Sequence, residues 1–279
     1  MRSFWVASSW RSDLKESNPP LARFVLRLAP RLGPLTRIPV LGRLLHWLGA
    51  KAMPRESRIW VRVKSGHGAG LWLRVNPRTG RPIAEGSGEP EVQCALAKHL
   101  RPGMVFYDLG ANIGFFTLIG ARLVGEKGRV FSFEADPEVC NRLRENVTRN
   151  NLSWVSVEQK AIWSKSGPLQ FRRANPSESP DRGVGFVVNG PDPAAIVVEG
   201  LSLDECLRTM PAPDFIKCDV EGGEVEMIRG AGELLSAKRP IMMCEVHNQQ
   251  NRTILLAEFS SFGYECRPSD ENHILALPR

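Results

Sequence analysis

Past residue 104 the chain alternates short apolar runs with amphipathic stretches, the pattern of strands and helices taken in turn. Strands are expected at 105–109, 129–134, 155–160, 215–219 and 241–246, with a later one at 274–277. Helices are expected near 114–123, 137–150, 202–207, 223–235 and 252–262. Asp136 stands as an N-cap before Pro137, and Ser202 with Glu205 has the spacing of a capping box. Such alternation predicts an α/β fold: a doubly wound, mostly parallel Rossmann-like sheet closed by a later strand.

Between the third and fourth strands lies a long excursion, 164–201, with strand propensity at 169–172 and 196–198 around a polar Pro/Ser/Gly segment. A loop of that length is uncommon without a function, so it is expected to cover the substrate.

Ahead of the sheet, 59–64 and 71–75 alternate at period two around a Gly-rich turn. This predicts a β-hairpin burying Val61, Val63, Leu71, Leu73 and Val75. Residues 76–90 read as a Gly/Pro-rich loop, and a helix is expected at 90–100 with Pro90 in its first turn. Two short helices precede the hairpin, near 21–29 and 40–53. The division expected is 1–80, basic helices and hairpin, and 81–279, the cofactor-binding domain.

Charge changes the picture of the N-terminal part. Residues 1–74 hold 14 Lys/Arg against three Asp/Glu, while the rest holds 23 against 27. A mildly acidic catalytic domain argues against a nucleic-acid partner. For residues 20–53 two readings stay open. They pack on the main domain or across a homodimer, or their Arg-flanked apolar faces lie on an anionic membrane surface. No apolar run of spanning length and no signal-peptide pattern is present, so the expected location is cytoplasmic, with peripheral contact at a membrane as the second reading. Six scattered cysteines without a CxxC pair predict reduced thiols.

The chemistry-bearing segment is Asp108-Leu-Gly110-Ala-Asn112-Ile-Gly114, after an apolar strand and opening an apolar helix. Gly110 permits a tight turn, Gly114 permits close helix packing, and the helix start offers free N–H groups. Glu134 ends the next strand 24 residues after Gly110, where a carboxylate can accept from two ribose hydroxyls. A nicotinamide or flavin site would prefer GxGxxG, and Asn112 stands in place of its middle glycine.

The Asp108–Gly114 form resembles the first motif of class I S-adenosylmethionine-dependent methyltransferases, and Phe133-Glu-Ala-Asp136-Pro137 resembles the second. With Gln159-Lys-Ala161-Ile162, Ser202-Leu-Asp204, the segment from Phe215 to Glu224 and that from Ile241 to His247, the chain resembles the FkbM family over about residues 80–250. The resemblance implies S-adenosyl-L-methionine as cofactor, held by Glu89, Asp108, Gly110, Asn112, Gly114, Thr117, Glu134, Asp136, Ala161 and Asp219. It also implies O-methylation of a hydroxyl on a sugar, glycolipid or other small natural product. The acceptor is thus a small-molecule, saccharide or lipid-linked compound. An amine acceptor, or a non-catalytic binding protein retaining the fold, is the alternative.

Methyl transfer from a sulfonium asks of the protein an in-line nucleophile, a closed site and a base. The fourth strand ends in Asp219, Glu221 and Glu224, and the fifth in Glu245 and His247. His247 is the expected general base, because its unperturbed pKa lies nearest neutrality. Asp219 is expected beside the transferred methyl, and Glu221 and Glu245 are expected to orient His247 or bind substrate hydroxyls. Lys217 either ends in solvent or supports the acidic cluster. Asp219, Glu221, Glu245 and His247 could also ring a Mg²⁺ ion, but carboxylates alone argue weakly for one, and the favoured reading has no metal.

Overall fold

The computed structural model describes residues 57–175, 184–188 and 190–279. The helices expected at 21–29 and 40–53 lie outside the described residues. The chain divides into two compact units, Met1–Gly88 with Asn175–Asp181, and Glu89–Ala174 with Arg182–Arg279.

In the first unit, β1 (Ile59–Arg62) pairs antiparallel with β2 (Trp72–Val75), Ile59 opposite Val75 and Arg62 opposite Trp72. Alternation sets Val61, Val63, Leu71, Leu73 and Val75 on the buried face, joined by Ile59. The loop expected at 76–90 instead contains a helix, α1 (Arg81–Glu85). Pro82 suits its first turn and Gly86, left-handed at φ 81°, ends it. Five residues are too few to show helical periodicity in the sequence.

The second unit is built on a seven-stranded sheet. Helix α2 (Pro90–His99) leads into β3 (Val105–Leu109), α3 (Phe115–Val124), β4 (Arg129–Phe133), α4 (Pro137–Arg149) and β5 (Val155–Glu158). After the excursion come α5 (Leu203–Cys206), β10 (Phe215–Cys218), α6 (Glu224–Arg229), β11 (Ile241–Glu245), α7 (Gln249–Ser261), β12 (Tyr264–Pro268) and β13 (His273–Pro278). The strand order is β12-β13-β11-β10-β3-β4-β5, with β13 antiparallel to both neighbours and the others parallel.

Strands buried on both faces need near-continuous apolar runs, and β3 and β10 supply them. Each helix turns an apolar stripe to the sheet; α4 buries Val139, Cys140, Leu143 and Val147. The chain winds one way from β3 to β5 and the other way from β10 to β12. The resulting switch point between β3 and β10 is where a doubly wound sheet opens a crevice for ligands.

The excursion is not an open loop. Its described residues form β7 (Gly167–Arg172), β8 (Phe186–Val187) and β9 (Ala195–Leu201), which join β6 (Ala161–Ile162) in a second sheet of order β6-β9-β7-β8. The helix expected at 223–235 is broken after Arg229, and a π-helical turn follows at Leu234–Lys238. At Gly230 a Cβ would fall 2.4 Å from the Trp163 carbonyl oxygen, so backbone approaches too closely for a larger residue. The expected helix at 252–262 starts earlier, because Asn248 caps it by accepting from Asn251 N at 2.8 Å. All six cysteines are free thiols, and Cys218 and Cys244 are adjacent in register. Among the described residues no helix is long and apolar enough to cross a membrane.

Candidate active site

The turn after β3 is shaped by three left-handed residues: Gly110 at φ 68°, Asn112 at φ 50° and Gly114 at φ 91°. At Gly110 a Cβ would lie 1.7 Å from the Asp219 carbonyl oxygen, so only glycine lets the two strand ends meet. Asparagine tolerates the left-handed region better than most residues, which accounts for Asn112 at the middle position. Its Oδ1 accepts from Ile113 N at 2.8 Å, and its own N–H donates to Glu134 Oε2 at 2.9 Å. Gly114 opens α3 where a Cβ would strike Leu143 Cδ1 at 2.3 Å; its part is packing, as its place before the helix suggested.

Glu134 stands at the end of β4 and also accepts from Asp136 N, at 2.8 Å through Oε1. Burial pushes its carboxyl up to about 7, against the pull of these two N–H donors. It faces a cleft lined by Gly110, Asn112, Ala135, Ala161 and Ile162. Phe171 and Phe186 of the second sheet and Trp163 just after β6 add aromatic surface, and Asp219 and Glu221 also line the cleft. A carboxylate able to accept from a ribose beside a flat apolar slot suits an adenosine group. The donor set therefore fits S-adenosylmethionine.

Three of the residues expected at the cofactor are buried in the frame of the site. Asp108 and Thr117 are fully buried: Thr117 Oγ1 donates to Asp108 Oδ2 at 2.6 Å and lies 3.0 Å from Ser132 Oγ. Both brace the turn from behind, because the inward face of β3 points into the sheet–helix interface. Asp136 is 2% exposed and its oxygens are taken. Oδ1 caps α4, accepting from Glu138 N at 2.8 Å and Val139 N at 3.3 Å, while Arg173 binds both oxygens at 2.7 and 2.9 Å.

Lys217 does not end in solvent. It is 3% exposed, and its Nζ donates to Gly110 O and Asp219 Oδ2, both at 3.2 Å, with Asp108 Oδ1 at 3.7 Å. Burial opposes the charge, but Asp219 and Asp108 outweigh it and raise the ammonium above its ordinary value. Among the described residues Asp219 Oδ1 has no hydrogen-bond partner.

At the ends of β10 and β11 the expected residues do converge, in a different relation. His247 Nδ1 lies 2.5 Å from Glu224 Oε1, and Nε2 lies 3.2 Å from Glu221, 3.6 Å from Asp219 and 4.0 Å from Glu245. The Glu224 hydrogen bond, aided by Glu221 and Asp219, lifts the imidazole to about 9 despite its burial. At neutral pH His247 is therefore an imidazolium and carries no lone pair for a proton. That charge weighs against the general-base role expected of His247. Glu224, not Glu221 or Glu245, orients the ring, and it is itself held by Gly222 N at 2.9 Å and Asn251 Nδ2 at 2.7 Å. Glu221, at φ 46°, is raised to about 7 by burial and by the Asp219 charge. Glu245 is raised by burial and by Asp219 and Glu89.

Glu89 lies 3.5 Å from His273 Nε2. Among the described residues two groups could hold a metal ion: Asp219, Glu245 and His247, and Glu89, Glu245 and His273. Asn251, His273 and the aromatic residues Trp163, Phe171 and Phe186 are the site residues sequence reasoning missed, while Glu224 was placed at this strand end without its part in holding His247. Only His273 had a local signal, an Asp-x-x-His pair opening the last strand.

The strand order, the glycine turn at the switch point and the acid ending β4 define a class I, S-adenosylmethionine-dependent methyltransferase. Comparison with known proteins gives the family. The model of the methyltransferase FkbM domain matches residues 108–266, and the chain belongs to that family. It is 27% identical over 229 residues to hexuronic acid methyltransferase AglP of Haloferax volcanii, covering 80% of this chain and 90% of that protein. Over 72 residues it is 35% identical to an arsenite methyltransferase of Halobacterium salinarum, 26% of this chain and 17% of that one. The crystal structure of methyltransferase FkbM from Methylobacillus flagellatus aligns with 91% of this chain and 59% of its own, at 17% identity and a TM-score of 0.46.

Proposed function

We propose that the enzyme methylates a hydroxyl oxygen of a saccharide, free or lipid-linked. The observation that carries this reading is that Asp219 and Glu221 line the same cleft as the cofactor turn. Hydrogen-bond acceptors there suit a hydroxyl-rich acceptor, and the likeness to a hexuronic acid methyltransferase supports the same class.

S-adenosylmethionine supplies a methyl on a sulfonium: the C–S bond breaks as a C–O bond forms, and sulfur keeps the electron pair. The chain's own part is to place the acceptor oxygen in line and to take its proton. Glu221 is the proton acceptor in this proposal, being a carboxylate above about pH 7 and part of the cleft. His247, as imidazolium locked by Glu224, holds Glu221 in place and offsets its charge. Asp219, fixed by Lys217, orients the acceptor.

An amine acceptor is the second reading, favoured by the excess of carboxylates over cations at this end of the sheet. Incubation with labelled methyl donor and a panel of hexoses, hexuronic acids, glycolipids and amino sugars separates the two. The expected result is label in an O-methyl saccharide, lost in Glu221→Gln. Label confined to amines would overturn the proposal.

A further inference from the structure

We infer that Glu89, Glu245 and His273 bind a divalent transition-metal ion. The antiparallel register of β11 and β13 sets Glu245 opposite His273, with Glu245 Oε2 3.9 Å from His273 Nε2. Glu89, the N-cap residue of α2, is held at φ 42° and ψ 70° and brings its Oε2 to 3.5 Å from the same nitrogen. The three donor atoms all lie within 4.8 Å of one another. Two ligands each about 2.1 Å from one ion stand at most about 4.2 Å apart, and the 3.5 and 3.9 Å separations from His273 Nε2 fall within that limit.

Carboxylates alone would not make a site; the histidine does. His273 is 5% exposed. Its Nδ1 lies 2.8 and 2.9 Å from the two Asp270 oxygens, and Asp270 also accepts from His273 N at 2.7 Å and Asn272 N at 2.8 Å. Asp270 therefore fixes the ring and keeps a proton on Nδ1, which points Nε2 at Glu89 and Glu245. That nitrogen is buried without a hydrogen-bond partner among the described residues. At 3.5 Å Glu89 makes a long ion-pair contact with this nitrogen rather than a short hydrogen bond. A buried polar atom left unsatisfied is costly, and a carboxylate holding the far nitrogen of an imidazole is the arrangement found behind metal-ligating histidines.

One imidazole and two carboxylates favour Mn²⁺, Fe²⁺, Co²⁺ or Zn²⁺ over Mg²⁺, which prefers oxygen ligands and retained water. Three protein ligands leave positions open, and in the proposed reaction these would take acceptor oxygens; that role, unlike the binding itself, rests on the proposed function. Glu89, Asp270 and His273 all lie outside the family-matched residues 108–266.

The test uses the full-length protein, stripped by a chelator and titrated with Mn²⁺ without donor or acceptor, followed by calorimetry and by the nitrogen couplings in the Mn²⁺ spin-echo spectrum. One ion per chain with an imidazole coupling is expected. His273→Gln should weaken binding tenfold or more and remove the coupling. Glu89→Gln, at an exposed side chain, should weaken binding even if His273→Gln fails to fold. Absence of Mn²⁺ binding, or unchanged binding in both variants, would overturn the site. Loss of the coupling in His247→Gln, with His273→Gln unaffected, would overturn it too. Because no methyl transfer is read, failure here is distinct from failure of the acceptor proposal.

Discussion

Lys217 ties the cofactor turn to the strand that ends in the acidic crevice, its Nζ donating to the Gly110 carbonyl at 3.2 Å and, at the same distance, to Asp219. The cation is nearly fully buried beside Asp108, itself without exposure. Replacing it with Met leaves Asp108 as an uncompensated buried carboxyl, and breaking a buried pair this way costs about 3–5 kcal/mol. Thermal denaturation of Lys217→Met should show a large fall in Tm. The double variant Asp108→Asn/Lys217→Met should recover part of it, since the orphaned charge is gone. A double variant no more stable than the single one would refute the pairing.

Glu134 predicts a pH dependence of stability and of cofactor affinity. Its carboxyl is raised from the ordinary value of 4.5 to about 7 by burial. A raised carboxyl favours the fold fully below the unfolded value, and that contribution is lost as pH rises through about 7. Ribose hydroxyls donate to the charged form, so affinity runs the other way and falls as pH drops below 7. In Glu134→Gln both trends should flatten, and affinity at pH 8 should fall tenfold or more. Scanning calorimetry and cofactor titration between pH 5 and 9 check this. Equal pH slopes in wild type and variant would remove Glu134 from the site.

How much of this was legible in the sequence depends on the range of the contact. The turn 108–114, the Asp136 cap and the Ser202 cap involve neighbours along the chain, and residue type alone announces them. The sheet itself is written in apolar runs. Other elements left little trace. Strand β12 alternates Tyr264, Cys266 and Pro268 with exposed or half-exposed charges, which is edge-strand chemistry that reads as loop. Strands β7 to β9 were half-seen, because a partly exposed sheet carries few apolar positions. Strand alternation gives the side on which Lys217 projects but not its depth. The charge on His247 depends on Glu224, 23 residues away on another element, so its ordinary pKa was a poor guide.

The proposed division of labour between Glu221 and His247 predicts which variants lose turnover and how. Removing a general base typically costs about 10²–10⁴ in rate. Glu221→Gln should lose that much in kcat while cofactor affinity stays within a few-fold of wild type. Wild-type turnover should rise as pH increases through about 7, where Glu221 loses its proton. Glu224→Gln should act less directly, lowering turnover by loosening His247 and weakening the acceptor KM. A Glu221→Gln enzyme with wild-type kcat would transfer the base role elsewhere.

The N-terminal charge separates a lipid-linked acceptor from a free one. Residues 1–74 carry 14 Lys/Arg and three Asp/Glu, and basic residues near an anionic surface contribute about 1 kcal/mol each. If the acceptor is membrane-borne, the full chain should co-sediment with vesicles containing anionic lipid at low salt. Binding should weaken as salt is raised, because this attraction is screened within about 10 Å at 0.1 M. Deleting residues 1–53 should abolish it and leave transfer to a soluble acceptor intact. If the segment instead joins two copies of the chain, the same deletion should halve the mass in light scattering without affecting vesicle binding. A deletion variant that still binds vesicles would move the membrane contact away from residues 1–53.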